Sequence, residues 1–556
     1  MEKIFFKIGQ HSILIALAVM FAFPFIWMIS ASGKVDREMF GERRALFPHT
    51  PVPAVTSPYI DQIEFKKSSQ PEDVSKKDYE RLKKALLTDI YSAVTNADLK
   101  VPEKIKTVAE NEVYEGVWKR LVAVTPQSYW TNAALSPKKI VSRVTTKKEI
   151  DNVLNQCYRR FSIQLSRARD NDMAIYNLAL GQPITSKWVS LNSNAAFIEE
   201  RDEDVLPYAN IHYNFEKTNE ISLYAEFTLP FAASNLLQYC LAYRTDDSWN
   251  RLYVELEGGG KKYASDESIY LFDYTWTSVI WQRPSEQDNE IKIKRWVRTK
   301  VVDEGPQYDF GNNKIKVTLH LRKSSQLQAW WGKLSRNYIA TFKYIPFWRY
   351  FCTSAFLVIL NIIGVLFSST IVAYAFARLH WPGRDICFYL LLATLMIPPQ
   401  VTMIPGFIII KWLGWYNTLQ PLWVFSFCGN AFFIFLLVQF MRGIPKDLED
   451  SAKIDGCGFL RVYWYVILPL IKPTMAAIAI FTFMGVWNDF MGPLIYLSDH
   501  RLYPLSLGLF SLNVQAGGNF GMMMSGSFLM TLPVIIIFFF AQKYFIQGIT
   551  LSGMKG

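Results

Sequence analysis

The 556-residue chain carries 59 basic and 48 acidic side chains, a formal charge of +11, and 51% of its residues are apolar. Spread evenly, that composition would give several soluble domains, but the apolar residues crowd at the two ends, which excludes a purely soluble protein. The basic excess flanks those apolar runs instead of forming a block, which excludes nucleic-acid binding as its cause.

The first apolar run, at about 12–32, is long enough to cross a bilayer, which takes about 20 residues. It continues through Pro24, Phe25, Ile26, Trp27 and Met28 without a small-residue cleavage site, so it is expected to stay as an anchor and not be removed as a signal peptide.

Residues 35–345 contain 44 basic and 40 acidic residues and no run able to span a bilayer. The first part, 35–185, is predicted mainly helical. Tyr79, Leu82, Leu86, Ile90 and Ala93 recur at helical spacing, as do Ile150, Val153, Leu154, Cys157 and Phe161. The second part, 186–345, is predicted as strands, with Ile221, Leu223, Ala225, Phe227 and Leu229 alternating with polar residues. Leu252, Val254 and Leu256 do the same, as do Ile315, Val317, Leu319 and Leu321, a pattern that suggests an antiparallel β-sandwich.

Aromatic residues crowd this second part, among them Trp249, Trp276, Trp281 and Trp296. Trp249, Arg251 and Trp281 are candidate carbohydrate contacts, since aromatic faces stack on sugar C–H surfaces; the alternative is that the tryptophans fill the core or meet partner subunits. His212 and His320 have no nucleophile or carboxylate pattern around them, so no catalytic residue is assigned and the chain is read as a non-enzyme. Of six cysteines none forms a CxxC pair, so no metal site is expected. Cys157 and Cys240 are the only two in the middle segment, and spacing leaves open whether they pair.

Beyond residue 346 five further spans are predicted, at about 352–378, 386–410, 419–441, 466–487 and 524–546. Lys3, Lys7, Arg378, Arg384, Arg442, Lys446, Lys453, Arg461, Lys543 and Lys555 all fall on one side if both termini are cytoplasmic, which puts residues of about 33–350 outside. Asn361, Gln439, Trp487, Asn488 and Asp489 are candidate translocation-path residues, because polar groups at membrane depth face a bundle interior. Interhelical hydrogen bonding is the plainer reading for Asn361 and Gln439.

Residues 442–465 join the fourth and fifth spans. Pro445 suits a first helical turn, Asp447, Glu449 and Asp450 place negative charge at the positive end of a helix, and Gly456 suits a left-handed stop. Leu448, Ser451, Ala452 and Asp455 fall on one face, with Lys453 beside them, and small side chains there allow a partner to approach closely.

Asp450-Ser451-Ala452, Gly456 and Leu468-Pro469 resemble the coupling-loop motif of ABC importer permeases, written Glu-Ala-Ala, three residues, Gly, nine residues, Ile-x-Leu-Pro. Asp450, Ser451 and Val466 depart from that pattern conservatively. Ala373–Arg378, Met396–Gln400, Gly414–Thr418 and Trp487–Phe490 extend the resemblance to the smaller permease of maltose-type carbohydrate importers. It covers residues 1–34 and about 346–556.

The resemblance implies an α-helical membrane protein of about six transmembrane helices, a type I ABC importer permease fold, with an inserted extracytoplasmic α + β-sandwich domain. It also implies a prokaryotic inner membrane, a second permease subunit, two ATPase subunits, an external solute-binding protein, a carbohydrate cargo and surrounding lipid. No GxxxxGK[ST] loop occurs, so no cofactor is expected on this chain; ATP and magnesium would sit on the ATPase subunits. The rival readings are a membrane-anchored carbohydrate-binding or sensor protein, a permease for a non-sugar solute, and a secondary transporter.

Overall fold

The computed structural model describes residues 2–550 apart from 41–44, 58, 61–73, 100, 102, 104–105, 127–128, 131–137, 160, 165–174, 178–187, 193–195, 202–207, 230, 273–275, 285–295 and 516–518. The chain divides into two units. Met1–Lys34 and Arg336–Gly556 form one; Val35–Glu290 and Arg295–Ser335 form the other.

In the first unit, four helical stretches are long and apolar enough to cross a membrane: Gln10–Ser32, Phe347–Arg378, Val424–Arg442 and Phe520–Phe540. The other two predicted spans are broken. Arg384–Thr394 meets Pro399–Trp412 at 98°, and Phe459–Leu470 meets Lys472–Trp487 at 74°. Proline explains both breaks. Pro398 takes an extended ψ of 133° ahead of Pro399, as a residue before proline prefers, and Ile471 leaves the helical region two residues before Pro473.

The fourth predicted span, 419–441, also starts irregularly: 3-10 turns at Gln420–Leu422 and Val424–Cys428 precede helix Ala431–Arg442, which Asn430 caps. Between the fifth and sixth predicted spans lies helix Leu505–Gln515, with Leu505, Leu507 and Leu512 buried. Helix contacts within this unit are partly polar. Asn337 Nδ2 donates to the Ser32 carbonyl at 2.7 Å, and the Thr341 and Ser525 hydroxyls lie 2.7 Å apart.

The second unit opens with helices Lys76–Asn96, Lys106–Val124, Lys138–Val144 and Lys147–Cys157. Ser75 caps the first by accepting from the Asp78 amide. Leu82, Leu86, Ile90 and Val94 are buried against Val113, Val117, Trp118 and Trp130, as the 3.6-residue period requires. The helical pattern was expected to reach Phe161, and helices to dominate as far as 185. Instead the helix stops at Cys157, and Phe161 lies in a strand opposite Ile211. The run from Phe161 to Gln164 alternates apolar and polar side chains, so the sheet claims it.

Thirteen strands among the described residues form one continuous sheet, running from Val189–Ser190 at one edge to Ala196–Arg201 at the other. A sandwich of two separate sheets was expected. Strand Val297–Glu304 joins the halves, pairing antiparallel with Lys261–Ser265 and parallel with Trp276–Gln282. Ile221, Leu223, Ala225 and Phe227 lie side by side with Ile315, Val317, Leu319, Leu252, Val254 and Leu256 on neighbouring strands, and share one core with Tyr239, Tyr243 and Trp281 of the other half. Cys240 is a free buried thiol, and burial raises its pKa; the Cys157 side chain lies outside the described residues.

The opposite face of the strands Glu220–Thr228, Lys314–Arg322 and Arg251–Gly258 is polar. Glu255 lies 2.9 Å from Lys262 Nζ and 3.1 Å from His320 Nε2. Burial would push the Glu255 carboxyl up, but the hydrogen bonds and charges of His320 and Lys262 outweigh it and bring it down to about 2. Because the folded state holds this proton less tightly than the unfolded chain, the carboxylate contributes stability above the ordinary carboxylate range, lost as pH falls through about 2. Glu255→Gln is therefore expected to melt earlier than wild type at pH 7, with the gap closing between pH 4.5 and 2. A gap that does not change with pH in fluorescence melts of the full chain would contradict this.

Candidate functional site

The segment between the fourth and fifth spans folds as helix Asp447–Ile454. Asp447, Glu449 and Asp450 occupy its first turn, where carboxylates meet the free amide groups of the helix start. Pro445 stands just outside the helix, ahead of the N-cap Lys446, and not in its first turn. Gly456 ends the helix at φ +80°, and its amide donates to the Lys453 carbonyl at 2.9 Å. A β-carbon at Gly456 would meet nothing within 4 Å, so glycine answers the backbone there and not crowding.

Asp447, Leu448, Asp450, Ser451, Lys453, Asp455 and Gly456 are exposed, whereas Ala452 is half-buried and packs on the neighbouring helices. Asp450 and Lys453 pair at 3.0 Å in the open, an interaction worth at most about 0.5 kcal/mol. Glu449 is the exception to the exposed set. It is buried, with its carboxylate 2.8 Å from Arg378 Nε, so it faces inward and not toward a docking partner.

Sequence reasoning passed over the strongest surface feature here. Ile454 is 87% exposed, and Leu448, Phe459 and Leu460 stand exposed in the same segment. Four large apolar side chains within 13 positions of a short polar loop are a sequence signal for a covered surface.

Of the five candidate path residues, the structure brings two together. Asn361 and Asp489 line a cleft of about 300 Å³ with Leu357, Leu422, Gly485 and Val486. Asn361 Nδ2 donates to the carbonyls of Leu357 and Leu422 at 2.8 and 2.9 Å, and its Oδ1 accepts from the Ser426 hydroxyl. Asp489 Oδ1 accepts from the Gly492 amide at 3.1 Å. The Asn361 amide is thus largely taken up by its own helix and by the 3-10 turns at Leu422 and Ser426, while the Asp489 carboxylate has capacity for a ligand hydroxyl.

Trp487 lies elsewhere, in an apolar cavity with Phe351 and Phe483, its Nε1 donating to the Met530 carbonyl at 3.0 Å. Gln439 and Asn488 are exposed and do not line the cleft.

The three candidate carbohydrate contacts do not form a site. Trp281 is fully buried and stacks on Tyr239 at 5.7 Å, and Trp249 is buried against Phe272. Neither ring offers a face to a sugar; core packing explains both. Arg251 is half-buried on the sheet's polar side, opposite Arg322 and Tyr270. Among the described residues no group of three or more His, Cys, Asp or Glu is placed to hold a metal ion.

Residues 368–550 match the family described as binding-protein-dependent transport system inner membrane component. The arabinooligosaccharides transport system permease protein AraQ of Bacillus subtilis is 36% identical over 210 residues, 38% of this chain and 74% of the relative. The galactooligosaccharides transport system permease protein GanQ of the same organism is 31% identical over 258 residues, 45% of this chain and 88% of the relative. A crystal structure of a bacterial ABC transporter involved in alginate import aligns with 38% of this chain and 79% of its own at 25% identity, with a TM-score of 0.35.

Proposed function

The chain belongs to the binding-protein-dependent transport inner membrane components, among the carbohydrate ABC importer permeases, and from that premise we propose that it moves an oligosaccharide into the cytoplasm by alternating access. Helix Asp447–Ile454 is the surface on which a separate ATPase subunit docks. The observation that carries this reading is that Leu448 and Ile454 stand exposed on the otherwise polar helix that Gly456 closes. A solvated connector has no reason to hold both of these side chains out of the core.

The second permease, the two ATPases and the external solute-binding protein complete the importer, with ATP and magnesium held on the ATPases. The basic residues beside the spans favour cytoplasmic termini, with the inserted residues of about 33–350 outside, where they meet the binding protein or the second permease. An oligosaccharide is the cargo class, supported by the relatives' transport of arabino- and galacto-oligosaccharides. Asp489 accepts cargo hydroxyls along the path, a reading supported by the cleft it lines with Asn361.

The test is reconstitution with the products of the neighbouring genes in proteoliposomes, supplied with labelled arabinan and galactan oligosaccharides. ATP-dependent accumulation of a saccharide of two or more units is expected. Uptake driven by an ion gradient without ATP, or saccharide binding with no transport at all, would sink the reading in favour of a secondary transporter or an anchored sensor.

A further inference from the structure

One guanidinium gathers three segments of the membrane unit. Arg378 ends helix Phe347–Arg378 with its side chain 3% exposed. Its Nη2 donates to the carbonyls of Met441 and Ile444, at 2.6 and 2.7 Å, where helix Ala431–Arg442 gives out. Its Nε lies 2.8 Å from Glu449 Oε1, an ion pair without the alignment of a hydrogen bond, on the helix that the importer reading makes the ATPase dock.

Two more bonds tie the far side of that loop to the same helix. Tyr374 Oη donates to the Phe459 carbonyl at 3.1 Å, and the Thr370 and Tyr463 hydroxyls are 2.8 Å apart. Helix Phe347–Arg378 also carries Asn361, on the wall of the cleft, 17 residues or about 26 Å along the axis from Arg378.

We propose that the buried Arg378–Glu449 pair is the strut through which motion of helix Asp447–Ile454 enters helix Phe347–Arg378 and so reaches the cleft at Asn361. Glu449 is therefore a positioning residue, working within the chain and not as an ATPase contact. The proposal rests on the importer reading. A buried pair suits the task because losing one partner leaves a charge without compensation, so the two helices move together or not at all. A surface pair such as Asp450–Lys453 would yield to water under the same load.

The experiment compares Arg378→Ala, Glu449→Ala and the double variant in the reconstituted assembly, reading both saccharide taken up and ATP hydrolysed. Hydrogen exchange over residues 447–454 is measured alongside. Arg378→Ala is expected to lower saccharide moved per ATP at least tenfold while hydrolysis stays within about threefold, and to speed exchange in the helix about tenfold or more. Glu449→Ala should lower the ratio by a similar factor, because it cuts the same link while Arg378 keeps only the Met441 and Ile444 carbonyls outside the helix, and the double variant should lose no more than either single one, as two partners of one interaction do. Arg378→Lys should fall between.

A general failure of folding or assembly would lower uptake and hydrolysis together and leave their ratio unchanged. A ratio within twofold of wild type in Arg378→Ala, with exchange unaltered, overturns the strut alone. A wild-type assembly showing no ATP-driven uptake overturns the importer reading, and the strut with it.

Discussion

Asp450→Lys and Gly456→Val are each expected to lower ATP-driven uptake at least about 100-fold while the chain still assembles in the membrane. Magnitudes separate docking from stability. The Asp450–Lys453 pair is exposed on both sides, so its loss accounts for no more than about 0.5 kcal/mol, roughly twofold in an equilibrium. A hundredfold loss needs about 2.8 kcal/mol and must come from a partner meeting lysine where it expects a carboxylate.

Gly456 sits at φ +80°, where a β-branched residue costs about 1–2 kcal/mol, or about tenfold. Because a β-carbon there meets nothing within 4 Å in this chain, a loss well beyond that cost reports on the surface that covers it. Gly456→Ala, smaller on that surface, should retain more uptake than valine. Uptake in Asp450→Lys within threefold of wild type, at equal membrane abundance, would remove the docking role.

Trp281→Ala is expected to destabilise the β-rich unit by about 3–5 kcal/mol, the usual cost of deleting a buried aromatic ring. Trp281 is fully buried and stacked on Tyr239, in the core that both halves of the sheet share. Trp276→Ala, five positions earlier in the same strand, removes a ring that is 44% exposed, edge-on to Tyr208 and covered by the Arg244 guanidinium at 5.4 Å, so about 1 kcal/mol is expected. Melting of the full chain in detergent, followed by tryptophan fluorescence, distinguishes them. Equal melting temperatures for the two variants would mean that Trp281 does not anchor the core.

What the sequence showed depended on range. Spans were legible because hydrocarbon burial demands long apolar runs, but 386–410 and 466–487 were read as continuous, and the bends beside Pro398 and Ile471 were not anticipated. The alternation of Ile315, Val317, Leu319 and Leu321 marked a strand and its buried face. Counting tryptophans, by contrast, says nothing about which side each takes. The alternation Trp276-Thr277-Ser278-Val279-Ile280-Trp281 puts the two tryptophans on opposite faces, and the pairing Thr277↔Tyr243 shows which face is the core.

Long-range pairing was out of reach. Nothing local distinguishes Glu449 from Asp450, yet one finds an arginine 71 positions upstream and the other finds solvent. For the same reason the joining of both halves through Val297–Glu304 could not be read from strands taken singly.

Ile454, projecting almost bare into the surroundings, sets a condition on how this polypeptide is made. Synthesised ahead of whatever covers that knob, it would offer proteases and chaperones a sticky handle, and surplus copies would be cleared. If a separate subunit covers Ile454, matched synthesis of the two chains would keep that side chain from standing bare.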